Sequence, residues 1–279
     1  MKLSNAFSFL QDLWLGITIA FLPTLKSILR NPMLLLSPSK ISQLYMTNVW
    51  LVFGDGVDGN AKDAKDTLIS PYASGVVLDI GAGHGHTVRY LDRARVSRYI
   101  ALEPNALMHP HIRAQADDAG FHEADGTLII LSCGAEDTKA ILSTLALASP
   151  TENNSQPSAA PVDTIVSILT LCTVPDPERT VANMVRDVLK PGGQFLMYEH
   201  VLSARSDVAW WQRFWAPLWS VGFDGCRMDR ASDVLMRNLK LKDEDGKNVG
   251  AWREMRLWRK EGEDEENLFF HSIGRFIRI

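Results

Sequence analysis

The chain carries one short run whose residue types and spacing suit ligand chemistry: Asp79-Ile80-Gly81-Ala82-Gly83-His84-Gly85. Alternating glycines let a backbone approach a ligand without a Cβ in the way, and they tolerate the positive φ of a tight turn. The acid before the first glycine can accept hydrogen bonds from a cationic ligand group. Glu103 closes the next apolar run, Tyr99 to Leu102, where a carboxylate can accept hydrogen bonds from two ribose hydroxyls. The dinucleotide pattern G-x-G-x-x-G would need glycine at 86 or 88, and those positions hold His86 and Val88.

The pattern Asp-x-Gly-x-Gly-x-Gly therefore suits a nucleoside without a pyrophosphate. S-adenosylmethionine (SAM) is such a ligand: it offers an ammonium to Asp79, directly or through water, and places no phosphate on the turn. Methyl transfer from a sulfonium is an in-line displacement, so the protein's main task is to align the acceptor. An acceptor with a high pKa also needs a base. Candidates stand at or beyond the end of the run Gln194 to His200: His200, Glu199 and Asp224. His200 is favoured as base or orienting group; the structural alternative is a histidine bonded at a strand end. Cys172 reads as pocket wall rather than reactive thiol.

These residues need a scaffold. Gly75 to Ile80, Tyr99 to Glu103, Leu128 to Leu131, Thr164 to Leu169 and Gln194 to His200 are short apolar runs of the kind that form buried parallel strands. Thr87 to Ala94, Asn105 to Ala119 (bent or split by Pro110), Asp137 to Ala148 and Pro177 to Leu189 lie between them and read as helices. Lys190-Pro191-Gly192-Gly193 reads as a tight turn. Leu268 to Ile279 should close the sheet as an antiparallel strand. The expected fold is α/β, a doubly wound, mostly parallel seven-stranded sheet with N-terminal hydrophobic helices. Right-handed crossovers bring the strands' carboxyl ends to one edge. That edge collects Asp79 to Gly85, Glu103, Gly134 to Glu136, Leu169 to Thr173 and Glu199-His200. The cofactor residues expected there are Asp79, Gly81, Ala82, Gly83, Glu103, Asn105, Gly134, Ala135, Glu136, Leu169 and Leu171.

At 279 residues, with 46% hydrophobic and 22% charged, most of the chain should be globular. A net charge of −4 gives no footprint for nucleic acid. Cys133, Cys172 and Cys226 are widely separated, with no CxxC or HExxH spacing, so reduced thiols and no metal are expected. Ser149 to Pro161 reads as an inserted surface loop and Glu261 to Glu266 as a solvated one.

The N-terminus is unusual. Leu13 to Leu25 is an uncharged apolar run of about thirteen residues, short of the roughly twenty that a spanning helix needs. Three readings compete: a monotopic anchor bent back at Pro23 and Pro32, a helix packed on the catalytic domain, and a true span starting near Phe7. The anchor is favoured because Trp14, Lys26 and Arg30 suit a headgroup boundary. Residues 1–37 then form the anchor, 38–66 an amphipathic helix stopped at Gly54-Asp55-Gly56 plus a linker over Asp55 to Lys65, and 67–279 the catalytic domain. Trp211, Trp215 and Trp219 share one side of a helix over Asp207 to Gly222, read as packing, an apolar acceptor pocket or a membrane-facing surface.

The set Asp79, Glu103, the fourth apolar run and Leu189-Lys190-Pro191-Gly192-Gly193 resembles the class I SAM-dependent methyltransferases over about Val76 to Val201. Leu169-Thr170-Leu171-Cys172-Thr173-Val174, Glu199-His200-Val201, Pro217-Leu218-Trp219 and Phe223-Asp224-Gly225-Cys226 resemble, more narrowly, the methyltransferase-like seven family. That resemblance implies a membrane-associated enzyme, at the endoplasmic reticulum or lipid droplets and facing the cytosol, that methylates small thiols. One departure is Gly134, where many class I enzymes place an acid for the adenine amino group; Ala135 backbone or the Glu136 side chain is expected to serve instead. The resulting expectation is methyl transfer to a thiol or hydroxyl of a small lipophilic acceptor. A quinone or lipid methyltransferase and a membrane-associated SAM-binding protein without catalysis are the alternatives.

Overall fold

The structure, a computed structural model, describes residues 1–148, 161–242 and 245–279. The expected insert, Ser149 to Pro161, lies outside the described residues except for Pro161. Helices α1 (Leu3–Ala6), α2 (Phe9–Arg30) and α3 (Pro38–Leu68) precede the sheet. Then follow β1 (Gly75–Ile80), β2 (Val96–Leu102), α4 (His109–Asp118), β3 (Leu128–Leu131), α5 (Thr138–Ala148), β4 (Val162–Ile168), α6 (Pro177–Asn183) and β5 (Leu189–His200). The remainder is α7 (Ser206–Gly222), α8 (Ser232–Asn238), a small hairpin of β6 (Lys240–Lys242) and β7 (Asn248–Gly250), β8 (Trp252–Arg259) and β9 (His271–Arg278).

The main sheet has seven strands in the order β3-β2-β1-β4-β5-β9-β8. The first five are parallel, and β9 enters antiparallel between β5 and β8. The expected doubly wound fold is present. Alternation along each strand sends Leu78, Ile80, Ile100, Ile165 and Phe195 to one face, packed with Ile141 and Leu145 of α5 and Val181 of α6. Val77, Tyr99, Val166 and Leu196 go to the other, packed with Ala61, Ala64 and Leu68 of α3 and Ile112 of α4. Strand order reverses between β1 and β4, and a crevice opens at the carboxyl ends there.

Several expected boundaries moved for identifiable reasons. The helix expected to stop at Gly54-Asp55-Gly56 runs on to Leu68 as α3, and there is no linker over Asp55 to Lys65. Interior glycines cost about 1 kcal/mol each, but tertiary contacts offset this. A Cβ on Gly54 would lie 2.8 Å from His86 Cε1, so the glycine lets that ring pack on the helix. The buried Asp58 carboxylate accepts from Lys65 Nζ at 2.6 Å and Tyr90 Oη at 3.0 Å, so polar residues that resemble a linker are internal partners. Arg89 also reaches Asp58, at 3.2 Å. The helix expected over Thr87 to Ala94 contracts to a 3-10 turn, His86–Tyr90.

Pro110 neither bends nor splits α4; it occupies the first turn, where its missing N–H costs nothing, and the helix starts at His109. Pro23 lies inside α2 without ending it, and Asn31 terminates the helix. Helix α6 widens into a π turn over Met184–Val188, and β5 starts at Leu189 rather than Gln194. The pairing passes from Val162↔Leu189 to Thr164↔Gln194, so Lys190 to Gly193 bulge out of the ladder. The acidic stretch near 263 is not wholly solvated: Glu263 accepts from the His271 backbone N–H at 2.7 Å and contacts its Nδ1 at 2.5 Å.

The N-terminal helices cover one side of the sheet edge. Phe9, Leu13, Gly16, Ala20 and Thr24 form the buried stripe of α2. Phe9 meets Trp215 of α7 at a centroid distance of 4.8 Å, and Trp215 Nε1 donates to the Ala6 carbonyl at 2.9 Å. The opposite face stays exposed, including Trp14 at 68% and Leu29 at 71%.

Candidate active site

The crevice is a cavity of about 740 Å³ walled by loops after β1, β2, β3, β4 and β5 and roofed by α3 and α7. The loop after β1 holds Gly81, Gly83 and Gly85 at φ of 68°, 56° and 85°. A Cβ on Gly81 would meet Thr170 Oγ1 at 2.5 Å, so the β1 and β4 loops touch there. Gly83 faces open space, the cradle expected for a ligand. Ala82 lines the same turn.

Glu103 ends β2 at the cavity wall. One carboxylate oxygen accepts from Gly83 N–H at 2.9 Å and the other from Asn105 N–H at 2.8 Å. Burial pushes its pKa up to about 7, although these two hydrogen bonds work against the rise. Asn105 also donates through Nδ2 to the Gln43 carbonyl at 2.8 Å and Thr47 Oγ1 at 3.0 Å, which fastens α3 over the site. Gly134, Ala135 and Glu136 line the adjoining wall. The Glu136 carboxylate folds over Gly134, where a Cβ would stand 2.3 Å from it. An acid thus does occupy this wall, delivered from two residues further along the chain.

Three expected site residues, Asp79, Leu171 and Glu199, sit differently from the sequence reading. Asp79 is 1% exposed and does not line the cavity; Tyr99 Oη donates to it at 2.8 Å and Thr87 also bonds it. It braces the glycine turn from behind, and burial raises its pKa to about 6. Leu171 is fully buried in the core, whereas Leu169, at a φ of 54°, faces the cavity. Glu199 points away from the cavity: it accepts from Ser167 Oγ at 2.6 Å and from the Thr170 and Leu171 N–H groups at 3.0 and 3.2 Å. A carboxylate so placed shapes the β4 loop rather than moving a substrate proton. Asp224 lines the cavity, at a φ of 48°, and accepts from Ser42 of α3 at 2.5 Å.

His200 is buried and faces the cavity. Its Nε2 lies 3.3 Å from Cys226 Sγ, which lies 3.4 Å from Cys172 Sγ. Spacing along the chain had no means of showing that these three groups meet. The hydrogen bond with Cys172 and the neighbouring His200 ring hold the Cys226 thiol well below its usual range. The same sulfur contact, with burial, pushes Cys172 up. Burial works to lower the His200 pKa, but Cys226 outweighs it and the net shift is upward. Also unforeseen are Met46, Val49, Trp50 and Phe53 of α3, which give the cavity an apolar roof, and Phe223 and Phe269 beside the sulfur cluster, whereas Trp219 lines the cavity as the acceptor-pocket reading of its helix expected.

An open turn at Gly83, a carboxylate held at the end of β2 and an adjoining wall with Glu136 fit SAM. Gly81 to Gly83 would cradle its amino-acid end, Glu103 its ribose and Gly134 to Glu136 its adenine. When bound, it supplies a methyl group activated by the sulfonium.

Comparison with known proteins agrees. A methyltransferase-domain family matches residues 59–235. Human thiol S-methyltransferase TMT1A is 40% identical over 85 residues, which is 29% of this chain and 33% of that protein. Human thiol S-methyltransferase TMT1B is 36% identical over 95 residues, 34% of this chain and 38% of the relative. The chain thus matches only about a third of the length of these relatives. Among solved structures, an O-methyltransferase family protein from Burkholderia thailandensis shares the fold, with a TM-score of 0.54 and 10% identity over 86% of this chain and 60% of that one. The chain belongs to the methyltransferase-domain family.

Proposed function

We propose that the enzyme transfers the methyl group to the sulfur of a small lipophilic thiol. The observation that carries this reading is the placement of His200, Cys226 and Cys172 on the wall of a cavity otherwise roofed by Met46, Val49, Trp50 and Phe53. An apolar chamber selects a lipophilic acceptor, and a sulfur–imidazole cluster is where a thiol can be held as its anion. His200 is the group that holds and orients the ionised acceptor. The partial matches to two thiol S-methyltransferases support the same class.

A screen of alkyl thiols, phenols, carboxylic acids and quinone precursors with labelled SAM tests this. Transfer to alkyl thiols is expected. Faster transfer to quinone precursors, or SAM binding without transfer to any acceptor, would overturn it.

The enzyme also lies on a membrane surface in this reading. Leu3–Arg30 has the length and hydropathy of a spanning segment, with 28% of its most apolar window buried. Its exposed residues Trp14, Phe21, Leu22 and Leu29 stand on a helix packed against α7, which exposes Trp210 and Phe214. Such an arrangement suits a monotopic anchor, at the endoplasmic reticulum or a lipid droplet. Deleting residues 1–30 should move the protein from the membrane pellet to the supernatant; retention in the pellet refutes the anchor.

A further inference from the structure

We propose that Cys172, Cys226 and His200 form a zinc site whose open fourth position takes the sulfur of the acceptor. The inference rests on the thiol reading above and specifies how the acceptor anion is held.

The donor atoms all lie within 4.8 Å of one another, and all three residues line the cavity. They come from the loop after β4, the end of β5 and the segment after α7, so the fold itself assembles them. With Zn–S near 2.3 Å and Zn–N near 2.05 Å, a tetrahedral ion sets sulfurs about 3.8 Å apart and sulfur and nitrogen about 3.5 Å apart. The observed Cys172–Cys226 and Cys226–His200 separations are 3.4 Å and 3.3 Å, and Cys172 lies within 4.8 Å of the His200 ring. Opening the first two by a few tenths of an ångström, with Cys172 and the His200 ring set about 3.5 Å apart, seats the ion. A disulfide would instead require the sulfurs to close by more than 1 Å, to about 2.0 Å.

The surroundings hold the donors in place. Trp219 Nε1 donates to Cys226 Sγ at 3.3 Å. The Arg227 N–H donates to the Cys172 carbonyl at 3.1 Å, and the Arg230 guanidinium to the carbonyls of Leu171 and Val174 at 2.6 and 2.5 Å. Two thiolates and an imidazole form a soft set that favours zinc over magnesium or calcium. Three protein ligands on a cavity wall leave the fourth position for a small molecule, the arrangement of catalytic rather than structural zinc. As an acceptor thiol enters, its S–H bond breaks, the electron pair stays on sulfur and bonds the ion, and the proton leaves to solvent. The resulting thiolate lies in the chamber beside the β1–β4 loop contact, where Thr170 meets Gly81.

The test uses the full chain in detergent, purified without chelators, with metal content read by mass spectrometry. About one zinc per chain is expected. Cys172→Ser and Cys226→Ser should each lower it at least tenfold, whereas Cys133→Ser retains it. Circular dichroism and SAM calorimetry confirm that the variants fold. Replacement by Co²⁺ should give thiolate charge-transfer and tetrahedral bands, and 2-mercaptoethanol should shift them. Zinc below a tenth of an equivalent with no cobalt bands, or a Cys172–Cys226 disulfide in peptide mapping, overturns the site. Cobalt bands unmoved by the thiol overturn the open position. Undiminished thiol methylation by metal-free enzyme ends this inference and leaves the thiol reading intact. Zinc bound with no thiol methylated ends the thiol reading and leaves the metal site.

Discussion

Glu103 makes cofactor affinity depend on pH near neutrality. Its carboxyl titrates at about 7 because it is buried, and it must be ionised to accept hydrogen bonds from ribose hydroxyls while holding the N–H groups of Gly83 and Asn105. At pH 6 about one tenth of it is ionised and at pH 8 about nine tenths, so the SAM Kd should tighten about tenfold between them, or about 1.4 kcal/mol. Calorimetric titration with SAM at pH 6, 7 and 8 measures this. In Glu103→Gln the side-chain amide must face either Gly83 N–H or Asn105 N–H and leaves one buried donor unmet, which costs about 1–3 kcal/mol. SAM should bind that variant about tenfold to a hundredfold more weakly at pH 8, with no slope. A wild-type Kd that is flat from pH 6 to 8, or a slope that survives in Glu103→Gln, would refute the reasoning. Stability carries the opposite sign. A carboxyl raised from 4.5 to about 7 on folding favours the fold fully below pH 4.5, and about 3 kcal/mol of that is lost as pH rises through 7. Glu103→Gln should remove this pH dependence from a denaturant titration.

Three further outcomes follow from the geometry. Lys65→Ala takes the closest of three partners from the buried Asp58 carboxylate, which keeps Tyr90 and Arg89, and should cost less in denaturant unfolding than the about 3–5 kcal/mol of a fully unpaired buried charge, whereas the paired change Asp58→Asn with Lys65→Met recovers most of it; equal losses in both would show that the pair does not act as a unit. Gly83→Ala meets no neighbour and should lose only about 1–2 kcal/mol of stability from its positive φ, yet weaken SAM at least tenfold, while Gly81→Ala collides with Thr170 and should unfold earlier; the reverse order of stabilities would discard the cradle. His200→Ala should leave the SAM Kd unchanged and slow thiol turnover at least a hundredfold, and wild-type turnover would remove His200 from the chemistry.

The strands were legible because parallel strands covered on both faces are continuous aliphatic runs, as at Leu78 and Ile165. The ligand edge followed from connectivity alone, and Gly81, Gly83, Glu103 and Glu136 all reached it. Which side of an element a residue faces was harder to read. Asp79, Leu171 and Glu199 lie at the expected places in the chain but turn into the interior. The continuation of α3 was hidden by Gly54, Gly56 and Gly59, although Ala61, Ala64, Lys65 and Leu68 at helical spacing carried the signal. The meeting of Cys172, His200 and Cys226 was not legible, because donors on three separate elements leave no fixed spacing along the chain.

Neighbours on a pleated strand face opposite ways, and at the end of β5 this separates two jobs: Glu199 ties down the β4 loop and His200 enters the chamber. Sliding β5 by a single residue would turn both faces over: one way puts Glu199 among the sulfurs with Tyr198 beneath the loop, the other puts His200 beneath the loop with Val201 in the chamber. The alignment is fixed from both sides, by β4 and by β9, whose His271 stands directly opposite His200. The chain's final strand, distant from every recognisable motif, therefore decides which side chain the acceptor meets, and trimming it should disturb turnover before it disturbs cofactor capture.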